Sequence, residues 1–509
     1  MTSNTSDNIP HRWFIVAAVM LSTIMEILDT TIVNVSLPHM MGSLSADRDG
    51  ISWVLTSYIV AAGIFMPLTG FLVKRFGCKR LLLINIVGFM IASAFCGLST
   101  NLTEMVIFRV LQGIFGASLV PLSQFILRDT FPDSEQPKMM AIWGIGIMAA
   151  PVMGPTLGGY ITDTLSWRWV FYINVPICIV NFFLVVAFIK ESPLKKDIID
   201  WIGMTLVVLS VGSFQLMLDR GEADDWFNSD LIRGLLVTFI ISFTAFLFHS
   251  LKSKNPIINI RLFQDRNFAV GTIMMTLFAA TVLGSLVLIP QMLETLFGYS
   301  SNEAGLTMGP RGIASAIMMG VSSRLMTAGI EARWLVGVGL AVAAYSTWIL
   351  GSITLEASMH FMVMIGIIQG IGIGWFFVPL TTMVYSTLPR NSIAEAAGLF
   401  SFGRNIGNAM GISLLTTFLD RDAQFNWNVL GSHIYPGNPR LQQWLDVQHM
   451  SINNPRTIAV LGNHLSIQSN FIAYTHAFSA AALVLAGTFF LVFLLKAPLG
   501  HHKPDLSLH

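Results

Sequence analysis

EILDTTIVNVSLP, residues 26 to 38, sets Glu26 and Asp29 inside an apolar run that begins at Trp13 and is long enough to cross a bilayer as a helix. An ionised carboxylate at such depth costs roughly 2.5–3.5 kcal/mol on insertion scales, so both acids must face protein or water and not lipid. At 100° per residue, Ser22, Glu26, Asp29 and Ser36 fall within about 80° of one another, a polar stripe on an otherwise apolar helix. The rest of the chain has to supply what that stripe faces.

Composition places the whole chain in the membrane. Of 509 residues, 54% are hydrophobic and only 11% charged, and the mean hydropathy is +0.67, far from globular norms and typical of a polytopic membrane protein. The formal net charge of +1 leaves no concentrated basic face for nucleic acid. Cys78, Cys96 and Cys178 are isolated, with neither a disulfide framework nor metal-ligand spacing, and read as packing residues. The N-terminal MTSNTSDNIPHRW has no small-residue cleavage site after a short apolar core, so the first span is expected to be retained.

Apolar runs near 13–37, 52–72, 81–99, 104–127, 139–163, 168–189, 200–218, 231–251, 268–290, 303–323, 334–353, 360–385, 395–418 and 474–496 predict fourteen spans. An even number puts both termini on one side, and the Lys/Arg bias says which. Connections on the N-terminal side hold Lys74, Arg75, Lys79 and Arg80, then Arg128, Lys138, Lys190, Lys195 and Lys196, and later Arg261, Arg266, Arg324, Arg333 and Arg390. The opposite short connections offer Arg48, Arg168, Arg220 and Arg233 and the acidic Glu222, Asp224 and Asp225. Both termini are therefore expected in the cytoplasm.

An internal repeat divides the chain. QGIFGASLVPLSQFILRDTFP (112–132) and QGIGIGWFFVPLTTMVYSTLP (369–389) both open on Gln-Gly and close on Pro twenty positions later, and Gly70 to Lys74 after span two resembles Gly320 to Arg324 after span ten. Two homologous six-helix halves account for both. The expected units are 1–195, an inserted two-helix hairpin at 196–255, and 256–509 with a long loop at 419–473.

Arg109 opens a polar face on span four with Gln112, Gly113 and Gly116. At 1.5 Å per residue Asp29 lies ~12 Å and Arg109 ~8 Å below the same membrane boundary, so the guanidinium can reach the carboxylate. Two readings stand: a static ion pair that orders the bundle, or a proton switch in which burial disfavours the carboxylate and a nearby arginine favours it. Glu26, one turn away, would couple to such a titration. On span five, Gly146, Ala150, Gly154 and Gly158 recur every fourth residue as a small-residue groove, with Pro151 and Pro155 to bend it. Span thirteen repeats the device with Gly403, Gly407 and Gly411 and adds a buried Arg404, and Arg311 on span ten is a third intramembrane arginine.

LDTTIVNVSLP on span one, GFLVKRFGCKR after span two, RVLQG on span four, APVMGPTLGG on span five, WRWVFYINVP opening span six and LDRG after span seven together resemble the major facilitator superfamily, and within it the fourteen-helix drug:proton antiporters, across nearly the whole chain. The resemblance implies an all-α transmembrane fold of two six-helix bundles plus two inserted helices, alternating access, and export of amphipathic drugs or uncouplers in exchange for protons, with the proton gradient and no cofactor as energy source. It also implies a bacterial inner membrane, a periplasmic adaptor and a TolC-like outer-membrane channel. It assigns proton coupling to Asp29 and Arg109, with Glu26 beside them, and gating to Gly70, Lys74, Arg75 and Gly77 and to Gly154, Pro155, Gly158 and Gly159. Lys74 stands where the superfamily usually carries an acidic residue, so the carboxylate of the expected inward gate has to come from elsewhere.

Gln112, Met25, Trp143, Arg311, Gln369, Phe376 and Arg404 are the candidate lining of a soft substrate cavity, although Met and aromatic residues at helical spacing serve equally as packing. No Gly-Lys dipeptide occurs, hence no Walker A loop and no ATP-driven pump. A nutrient symporter of the same fold and a non-transporting receptor or scaffold remain as alternatives to the exporter. Within the 419–473 loop, Leu441, Trp444, Leu445 and Met450 line one face of a short helix that suits docking, or else the loop is merely solvated.

Overall fold

The computed structural model describes residues 11–192, 200–253 and 255–496; the side chains of residues 48, 49, 152, 155, 301 and 302 are outside the description. Lys195, Lys196, the boundary between 195 and 196, and the side chain of Pro155 thus lie outside the described residues. Those residues form helices and no strand. In hydrocarbon a helix is the element that satisfies its own backbone polar groups, and each predicted interval is covered by one. They are α1 (Arg12–Ser43), α2 (Gly50–Phe76), α3 (Cys78–Leu98), α4 (Leu102–Thr130), α5 (Gln136–Thr164), α6 (Trp169–Phe188) and α7 (Trp201–Arg220). There follow α8 (Asp230–Lys252), α9 (Arg266–Thr295), α10 (Ser301–Thr327), α11 (Ala332–Leu350), α12 (Met359–Ser386), α13 (Ile393–Gly431) and α14 (Pro455–Leu494).

Eleven of these helices are long and apolar enough to cross a membrane, or twelve if the bent α5 is one span. The helices α10 and α13 are long enough but fall outside that set, so apolarity alone does not close the count at fourteen. Short polar residues start the helices: Asp47 accepts from the Gly50 amide at 2.7 Å, Asp265 from Phe268 at 2.8 Å, and Ser300 and Glu303 form a reciprocal capping box. Exposed Ile84, Ile91, Phe183, Ile240, Ile241 and Phe248 present the apolar exterior that lipid requires.

The glycine groove of α5 receives α1. A Cβ added at Gly154 would lie 2.2 Å from Thr31 Oγ1, and one at Gly158 would lie 2.9 Å from the Ile32 carbonyl oxygen. The groove of α13 receives α9 in the same way: a Cβ at Gly407 would meet the Thr276 carbonyl at 2.2 Å and one at Gly411 the Ala280 carbonyl at 1.9 Å. Gly159, by contrast, faces open space. Together with the 3-10 turn Asp133–Glu135 that precedes it, α5 bends by 43° between Asp133–Pro151 and Thr156–Thr164, as expected where prolines interrupt the hydrogen-bond ladder.

The helix α7 lies between α2 and α13. Thr56 on α2 donates to Asp219, Ser413 on α13 donates to the Leu218 carbonyl at 2.6 Å, and Trp226 donates to Thr417 at 2.9 Å. The segment 419–473, expected as a loop, is mostly helical. There α13 runs on to Gly431, a short helix Pro439–Val447 follows, and α14 begins at Pro455. Leu441 and Leu445 are buried there, Trp444 packs edge-on against His464, and Val447 and Met450 stay exposed.

Candidate functional site

The stripe on α1 is shared among three neighbours. Ser22 accepts from Asn181 on α6 at 2.7 Å, Ser36 pairs with Thr162 on α5 at 2.8 Å, and between them Asp29 is fully buried. Three donors converge on its carboxylate. Arg109 Nη1 donates to Oδ2 at 2.7 Å, and Gln112 Nε2 and Asn174 Nδ2 donate to Oδ1 at 2.8 and 2.7 Å. The guanidinium is itself fixed, since Nε donates to the Val54 carbonyl at 2.9 Å, Nη1 also reaches Gln112 Oε1 at 2.8 Å, and the Tyr58 ring lies 4.3 Å from Cζ. Ser93 accepts from Asn174 at 3.0 Å and donates to the Phe171 carbonyl at 2.9 Å. Such charge-assisted bonds, shielded from water, are strong.

Asp29, Arg109 and Gln112 are thus brought together, and Gln112 serves this nest and not an open cavity. Asn174, Ser93 and the Val54 carbonyl are participants that no charge in the sequence betrays, although Asn174 and Asn181 stand seven apart on one face of an apolar helix. Glu26 is 8% exposed and held by no hydrogen bond among the described residues; its electrostatic partner is Arg404 across the molecule. Arg404 lies 5.9 Å from the Trp143 ring, which stacks on Phe377 at 5.8 Å. Two of the other candidate lining residues lie elsewhere. Met25 is fully buried with its sulfur 3.0 Å from that of Cys178, and Phe376 stacks on Phe278 at 4.0 Å. Both fill helix interfaces, the packing alternative for such residues. Arg311 and Gln369 line a separate cavity between α9, α10, α11 and α12.

The α4, α5 and α2 ends on the N-terminal side meet α12, α10 and α13. Tyr385 donates to Gln124 at 2.7 Å, Gly144 faces Met319, and Lys74 donates to Glu395 at the start of α13. The carboxylate missing at position 74 is therefore supplied from the other side of the contact, with the charges exchanged. Gly70 permits that approach, because a Cβ there would lie 2.4 Å from the Glu395 Cα. Gly77 adopts φ +85°, a conformation that favours glycine, and leads into α3, whose first amides at Lys79 and Arg80 donate to Glu191 at 3.0 and 3.2 Å. Arg75 is exposed at the end of this turn.

A helical bundle with a buried arginine–carboxylate nest and paired glycine grooves is the architecture of a family of membrane transporters: residues 19–412 match the Major Facilitator Superfamily, and the chain belongs to it. Within the superfamily it is 36% identical over 490 residues to the multidrug export protein EmrB of Haemophilus influenzae and 34% identical over 491 residues to EmrB of Escherichia coli K12, with 95% of each chain covered in both cases. It is also 34% identical to the fatty acid resistance protein FarB of Neisseria gonorrhoeae, over 94% of this chain and 95% of the relative. Among solved structures, the human organic anion transporter MFSD10 superposes with a TM-score of 0.62 at 14% identity, covering 95% of this chain and all of the other. The proton:xylose symporter XylE follows at 0.59 and 14%, covering 95% and 99%. These two share the fold.

Proposed function

We propose that the protein is a proton-coupled exporter of amphipathic compounds, acidic ones included, in a bacterial inner membrane with both termini cytoplasmic. The observation that carries this reading is the Asp29 nest: a buried carboxylate held by three donors from two other helices is equipment for binding and releasing a proton as those helices move. Arg109, Gln112 and Asn174 hold the deprotonated state, and Glu26 with Arg404 extends the polar track toward the centre of the molecule. Near-full-length likeness to the EmrB proteins supports drugs as cargo. The Lys74–Glu395 contact belongs to the cytoplasmic gate, and Gly154 and Gly158 to the α1–α5 seam along which the bundle rearranges. The helical 419–473 segment, with exposed Phe425, Tyr435, Val447 and Ile458, would meet an EmrA-like periplasmic adaptor that leads to a TolC-like outer-membrane channel.

Efflux of an ethidium-like dye from proteoliposomes under an imposed pH gradient tests the reading. The parent should move dye against its gradient, and Asp29→Asn should lower the proton-driven rate at least tenfold while still binding dye. A substituted protein that exchanges at the parental rate would make the nest structural. Uptake along with protons would favour a symporter, and no movement at all a receptor or scaffold. Replacing 419–473 by a short Gly/Ser linker should leave exchange intact yet abolish adaptor co-purification.

A further inference from the structure

The two ends of the internal repeat treat their glutamines differently. In the first, Gln112 and, three residues before it, Arg109 both close on Asp29. In the second, the residue three before Gln369 is Gly366, and the guanidinium arrives from a neighbouring helix: a Cβ added at Gly366 would lie 3.6 Å from the Arg311 Cβ. Arg311 is 3% exposed, about 15 Å along α10 from its start. Its Nη2 donates at 3.3 Å to the Val282 carbonyl, which lies in the π-helical turn Ala279–Leu283 of α9. Its Nη1 is buried without a partner, and no carboxylate among the described residues lies within ion-pair distance. A guanidinium keeps its charge in a protein, so this one cannot relieve its burial by losing a proton. Gln369 is 1% exposed and donates to Thr347 at 3.2 Å, while its Oε1 is also buried and unpartnered. Both side chains line one cavity, walled by Thr307, Leu350 and Met362.

We propose that this cavity binds an anionic group that accepts hydrogen bonds from Arg311 Nη1 and from the Gln369 amide, which can turn its NH2 toward the same space. The group is either the acid head of an amphipathic substrate, a source that rests on the export reading above, or a free inorganic anion. The C-terminal half thus draws from a ligand the negative charge that Asp29 provides in the N-terminal half.

Calorimetric titration of the purified full-length protein in detergent tests it with sodium octanoate, with chloride against gluconate, and with tetraphenylphosphonium as a lipophilic cation. The parent should bind at least one anion. Arg311→Gln should weaken that binding tenfold or more, Arg311→Lys by less than threefold, and tetraphenylphosphonium affinity should stay within twofold throughout. Loss of octanoate binding identifies the acid head, and loss of chloride binding alone identifies the free ion. Should Arg311→Gln fail to fold, Gln369→Leu decides, with a threefold or greater weakening expected. Anion affinities unchanged by these substitutions, or a parent that binds neither anion, would overturn the proposal. Because binding is read and not movement, failure of the export reading would show separately in the dye assay.

Discussion

Arg109 makes hydrogen bonds in three directions, and that divides its charge from its shape. A lysine at 109 keeps a cation near Asp29 but cannot bond the carboxylate, Gln112 Oε1 and the Val54 carbonyl at once, whereas alanine leaves a buried carboxylate unpaired. Breaking a buried pair typically costs about 3–5 kcal/mol. The alanine variant is therefore expected to melt well below the parent and to lose transport, with the lysine variant between them in both; indistinguishable melting of the two variants would show that charge is irrelevant there. At this scale the sequence was legible where charge interrupts an apolar run, which is why Asp29 and Arg109 could be paired, whereas the neutral Gln112 was assigned to the cavity and belongs to the nest. Asn174 and Ser93 stayed hidden because a neutral polar group in a membrane helix has many bland partners. Glu395 did too, since an acid in a helix's first turn ordinarily needs no partner but the helix itself.

Among the helices, the α1–α5 seam separates glycines that resemblance treats alike. Gly154 sits where any side chain would strike Thr31, while Gly159 faces open space. Gly154→Leu should block dye exchange more than tenfold in a protein that still elutes as a folded monomodal peak, and Gly159→Ala should exchange within twofold of the parent. Equal activity in the two variants would mean that the seam does not move. The helices themselves were readable from apolar runs, and the ends of α13 and α14 were not. Residues 419 to 473 carry too few apolar residues for a span, yet Asn438-Pro439 and Asn454-Pro455 are helix starts, with the Asn side chains accepting from Arg440 and Arg456 amides at 3.0 Å in each case. Hydropathy measures lipid contact, so helix that leaves the bilayer falls outside its sight.

For the whole molecule, the repeat predicts two matched sets of helices, and Lys74 on α2 meets Glu395 on α13 with opposite charge. Lys74→Glu should repel Glu395 and cut dye exchange at least tenfold, and the double exchange Lys74→Glu with Glu395→Lys should recover it to within threefold. If the double variant were as poor as the single one, the contact would depend on shape and not on sign.

One element connects that contact to the far side of the molecule. From Ile393 to Gly431, α13 is a single helix without proline, about 57 Å from end to end. It carries Glu395 in its first turn and Arg404 farther along, passes α7, and finishes in the projecting helical hairpin. If the proposed gate at Lys74–Glu395 opens by tilting this helix as one body, its far end has to move in the opposite sense, and a partner seated on the hairpin would feel the state of the gate through the helix itself, with no signal crossing the substrate path.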